Sequence, residues 1–158
     1  MANTINQVTP ASSLLVNRII WGALIMGQVA FMSAQMIILR QPQNGARPPI
    51  SADMLMVFVI VNAVMLATII PVTFFIRSLI FKRARNAEGV IPPQAFSTGN
   101  IIFWAGCEGC SLFGLVVAFL NYSFWPTIVF VAIALACQVA TFPRRSQIEP
   151  ADQMFKIT

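Results

Sequence analysis

An all-α, four-helix transmembrane bundle arranged as two helical hairpins is the fold that three observations favour: the composition, charge-free stretches of bilayer length, and basic residues gathered on one side. Of 158 residues, 58% are hydrophobic and 9% charged, and histidine is absent. Soluble domains carry about 25% charged residues. Mean hydropathy is +0.78. No charge interrupts Ile19 to Leu39, Met54 to Ile76, or the long block from Gly109 to Pro143. A span takes about 20 apolar residues, so the first two stretches hold one helix each. The third is too long for one helix and is broken at "NYSFWP", 121–126, by turn formers and a proline.

The first helix is expected over 14–39. Its apolar run exceeds the core of a signal peptide, about 7–15 residues, and "MANTINQVTPASS" ahead of it has no basic residue. It therefore reads as an uncleaved span. The loop "RQPQNGARPPISAD" has turn-forming residues and no apolar periodicity. A second helix is expected over 54–80, with Pro71 kinking it and freeing a carbonyl for Thr68 or Thr73. "FKRARNAEGVIPPQAFSTGN" begins basic and then offers Pro92 and Pro93 for the first turn of a third helix, expected over 96–121. The fourth is expected over 124–142, and 143–158 is a polar tail. "IIW" at 19–21 and "IIF" at 101–103 are each followed at equal offsets by Ala, Gly and Phe, a spacing compatible with duplicated hairpins.

Basic residues set the expected orientation. Arg18, Arg77, Lys82, Arg83, Arg85, Arg144, Arg145 and Lys156 fall on one side, and only Arg40 and Arg47 on the other. Both termini are then cytoplasmic in an inner (cytoplasmic) membrane, and the net charge of +5 is a topology signal that leaves no case for nucleic acid. Tyr122 and Trp125 suit an aromatic belt at the opposite face.

One residue does not fit a simple lipid-facing bundle. "GCEGCSLFG", 106–114, puts Glu108 near the middle of the third helix. An ionised acid at that depth costs at least about 2.5–3.5 kcal/mol, and no lysine or arginine is expected at that level. Glu108 is therefore expected to keep its proton until its surroundings change. Gln28 is the first-choice hydrogen-bond partner, because a glutamine amide serves either protonation state. Gln138 and Asn62 are less central. At 100° per residue, Gly106, Cys110, Gly114 and Ala118 form a small-residue packing stripe opposite Glu108, while Trp104, Ala105, Leu112 and Leu115 share its face.

"EGCSLFGLVVAFLN", 108–121, resembles the carboxylate helix of the proteolipid (c) subunit of rotary ATP synthases. That resemblance implies that Glu108 is the ion-binding acid, that Phe113 to Ala118 pack beyond it, and that the chain is a protomer of an oligomeric ring. Sodium-binding members have Ser or Thr after the acid and Tyr five positions on; Gly109 and Phe113 stand there, so a proton is the implied ion.

Two other readings remain open. In one, Glu108 only locks helices together in a structural or assembly subunit of a larger membrane complex. In the other, Cys107 and Cys110 form the C-x-x-C of a thiol-quinone redox protein, although neither outer loop holds a second cysteine pair. A buried thiol is more often a small apolar filler. The chain is not expected to be an enzyme by itself, nor to need a cofactor or metal. Its expected partners are the lipid bilayer and either copies of itself or other membrane subunits.

Overall fold

The computed structural model describes residues 10–40 and 50–148. Arg47, Lys156 and the remainder of the expected tail lie outside them. Four helices follow in order: α1 (Pro10–Leu39), α2 (Ala52–Ala84), α3 (Pro93–Leu120) and α4 (Ile128–Ala140), with a 3-10 turn at Arg145–Gln147. The first three, of 30, 33 and 28 residues, are long and apolar enough to cross a membrane. At 1.5 Å per residue each exceeds about 40 Å, against a hydrocarbon core of about 30 Å.

The fourth helix departs from expectation. It has 13 residues, about 20 Å, because residues 124–127 form a turn. The α3 C-terminus explains this start. Tyr122 adopts φ 53°, and the N–H groups of Ser123 and Tyr122 donate to the carbonyls of Ala118 and Phe119, the Schellman arrangement that stops a helix. Pro126 then has no N–H to continue one.

The starts of the first three helices and the end of α2 move outward. α1 begins at Pro10 and α3 at Pro93, with proline in the first turn of each. At its start α2 is capped by Ser51, whose side chain accepts from Met54 N–H. It runs unbroken through Pro71 to Ala84, and the Thr73 hydroxyl donates to the Ile69 carbonyl at 2.7 Å.

Packing also departs from two closed hairpins. α3 is the common neighbour of α1, α2 and α4, and α1 makes almost no contact with α2. Complementary faces account for this. α2 packs on the glycines of α3: a Cβ at Gly106 would meet Thr73 Cγ2 at 2.9 Å, and one at Gly99 would meet the Phe81 ring at 2.7 Å. α1 instead runs parallel to α3. Its Asn17 Nδ2 donates to Ser97 Oγ at 2.7 Å, and Gln35 Nε2 donates to the Leu115 carbonyl at 2.9 Å.

The distribution of polarity is inverted relative to a water-soluble bundle. On α1 the buried positions are Leu14 and the polar Ser13, Asn17, Gln28 and Gln35, whereas Leu15, Ile19, Met26 and Ile37 are 60–66% exposed. On α2, Asn62 and Arg77 are buried while Met56, Val57 and Phe75 are exposed. An apolar surface this extensive is suited to lipid contact. At the basic end, Leu14, Phe81, Ile91, Phe96 and Ile148 form a small apolar cluster. Ile148 thereby ties the start of the expected polar tail to the α2–α3 loop, helped by Ile91 N–H donating to the Gln147 carbonyl.

Candidate functional site

α3 carries Glu108 near its midpoint because the residues around it let three helices close on one. Gly106 meets α2, Gly114 meets Asn62 and Val131, and Cys110 and Ala118 are buried. All four stripe residues thus face the inside of this chain. Glu108 lies on the border of that contact surface: Trp104 and Leu115 beside it are fully buried, Leu112 is half-buried, and Ala105 and Gly109 are exposed. The carboxyl is half-buried and makes no hydrogen bond or ion pair among the described residues.

Gln28 is buried, but it is not bonded to Glu108. Its Nε2 donates to Gln138 Oε1 at 2.8 Å, and Trp21 Nε1 donates to the Gln138 backbone carbonyl at 2.9 Å. The physical reason is the antiparallel course of α4, which brings a second amide to the level of the first. Each amide is then half-satisfied. Among the described residues, Gln28 Oε1 and Gln138 Nε2 are buried without a partner, one acceptor and one donor.

Register relates this pair to the acid. The α1–α3 bonds join Asn17 to Ser97 and Gln35 to Leu115, so a constant offset sets Gln28 level with Glu108. At 100° per residue, Glu108 is within about 20° of both Ser97 and Leu115 around α3. Its backbone position therefore belongs to the stripe that faces α1.

Other expected residues fall elsewhere. Arg77, counted among the basic residues of the cytoplasmic side, is buried within α2; its Nε donates to Asn100 Oδ1 at 2.8 Å. Asn62 is fully buried with both amide atoms unpartnered, beside Gly114. Cys107 and Cys110 are buried free thiols, and Cys107 packs with Phe103, Trp104 and Cys137. Trp125 is 70% exposed next to the turn. Sequence reasoning passed over Asn17, Gln35 and Asn100, all buried. A usable signal existed on α1, where 13, 17, 28 and 35 are separated by near-whole helical turns. Compared with protein-family models, with curated proteins and with solved structures, the chain finds no match.

Proposed function

We propose that this chain is a polytopic inner-membrane subunit whose Glu108 binds and releases a proton midway through the bilayer, in the manner of the proteolipid carboxylate helix that 108–121 resembles. One observation carries the reading. At the level of Glu108, on the side of α3 that faces α1, the Gln28–Gln138 pair leaves one buried acceptor and one buried donor unfilled. A carboxylic acid offers one O–H and one C=O, whereas a carboxylate offers only acceptors. Turned inward, the acid donates to Gln28 Oε1 and accepts from Gln138 Nε2. Once ionised it leaves Gln28 Oε1 orphaned again and turns toward the exposed border of α3, where a partner chain can receive the proton. The basic end of the bundle, with Lys82, Arg83, Arg85, Arg144 and Arg145, is cytoplasmic in this reading.

A second reading is favoured by the exposed neighbours of the acid. Gly109 has nothing within 4 Å of a built Cβ, so another helix can approach there and take Glu108 as a hydrogen-bonding lock in an assembly. Labelling with dicyclohexylcarbodiimide separates the two. Proton binding predicts covalent modification at Glu108 in membranes, falling as pH rises, and faster in Gln28→Met, which loses the acceptor for the acid. Asp53 and Glu88 serve as internal controls. Absence of labelling across neutral pH, or labelling indifferent to pH, refutes the proton reading. Under the assembly reading Glu108→Gln is nearly silent; under the first it assembles but loses proton-coupled activity.

A further inference from the structure

Arg77 is a cation largely covered by the protein, with no anion in reach among the described residues. It is 8% exposed, its Nε is used by Asn100 Oδ1, and its Cζ lies 4.7 Å from the Phe81 ring centroid and 6.0 Å from that of Phe103. No carboxylate or carbonyl meets its terminal nitrogens among the described residues. Asn100 Nδ2 beside it is also buried without a partner; the bond from Arg77 Nε fixes the orientation of that amide, so the orphan is a donor. Among the described residues, donors outnumber acceptors here.

Phe103 also lines an apolar cavity of about 340 Å³ where α2 and α4 touch only sparsely, with Ile70, Pro71, Phe74, Cys137 and Ala140 as its other walls. The hydroxyl at its edge, that of Thr141, is taken up by Trp104 Nε1 and by the Cys137 and Gln138 carbonyls. Cavity and cation are thus one aromatic ring apart. Arg77 is seven residues from the end of α2 at Ala84, about 10 Å, the depth at which a long basic side chain reaches lipid phosphates. Lys82 and Arg85 stand exposed at that end and draw anionic headgroups to it.

We infer that Arg77 holds the phosphate of one anionic phospholipid while an acyl chain occupies the Phe74–Phe103–Ala140 slot between α2 and α4, and that the fully buried Asn100 positions the guanidinium through its Oδ1. Neither half of the site suffices alone: the guanidinium supplies the charge-assisted bonds, and the slot accepts only hydrocarbon. This inference is independent of Glu108.

Native mass spectrometry of the detergent-solubilised full chain, exchanged against equal phosphatidylglycerol and phosphatidylcholine, tests it. Wild type should retain one phosphatidylglycerol with a preference of about tenfold or more, the worth of one hydrogen bond to a charged group. Arg77→Gln should lose that preference. Ala140→Phe, which fills the slot and leaves Arg77 and Asn100 in place, should lose the bound lipid, and it decides the matter alone if Arg77→Gln does not fold. Inorganic phosphate should not displace the lipid. Equal retention of the two lipids by wild type, full retention by Ala140→Phe, or displacement by inorganic phosphate overturns the inference.

Discussion

Replacing Gln28 by Met tests whether the α1–α4 amide pair is an energetic link or a bystander. Met keeps the length of the side chain and fills the same space, so the change isolates the hydrogen bond. The bond measures 2.8 Å between residues that are 1% and 0% exposed. Hydrogen bonds between transmembrane helices average about 0.6 kcal/mol and reach about 1.7. Full burial and short length put this one in the upper half of that range. The single change also strands Gln138 Oε1, which already has an unpartnered Nε2 beside it, so each single variant should cost about 1–2 kcal/mol. The double variant Gln28→Met/Gln138→Met removes donor and acceptor together and should cost no more than the larger single. The resulting coupling is at least the cost of the smaller single, about 1–2 kcal/mol, at or just above the upper end of the measured range. The Trp21 bond to the Gln138 backbone survives in every variant. Unfolding in mixed micelles by dodecyl sulfate, followed by fluorescence of the buried Trp104, measures all four corners of the cycle. Additivity to within about 0.3–0.5 kcal/mol would refute the link.

Glycines on α3 should separate by face: Gly106→Val forces a side chain into Thr73 and Ile69 and should cost about 1–3 kcal/mol in the same unfolding assay. Gly109→Ala meets nothing and should stabilise the isolated chain by up to about 1 kcal/mol through helix propensity; loss of co-purifying protein in that variant would place a partner there. Trp104→Phe removes the 3.2 Å bond to Thr141 Oγ1 and should cost at least about 0.5–1.5 kcal/mol, a cost that Thr141→Val should not increase additively. Tyr122→Gly relieves a left-handed residue at φ 53°, a conformation that costs a side chain about 1–2 kcal/mol. It should leave stability unchanged or raised, whereas Tyr122→Val should lower it.

How much could be read in advance depended on which physical effect was in charge. Solvation is written residue by residue, so three spans and the break at "NYSFWP" were legible, as was the proline in the first turn of α3. Helix ends were less so. α2 runs past the expected residue 80 to Ala84, and Arg77 within it is buried because its long side chain finds Asn100, an outcome that hydropathy averaging does not register. The acid was found because a charge in hydrocarbon is conspicuous. Its surroundings were not, since which glutamine meets which depends on interhelical register.

Sequence by itself determined that this chain forms long apolar helices carrying one acid near the middle of the third, because transfer into lipid is additive over side chains. Only tertiary structure decided that α1 sets its amides against α3 and α4, that Gln28 bonds to Gln138, and that Arg77 is buried. Those outcomes follow from fitting glycine faces to bulky ones and donors to acceptors across helices distant in sequence. Complementarity of that kind belongs to pairs of surfaces, and no single stretch of residues contains it.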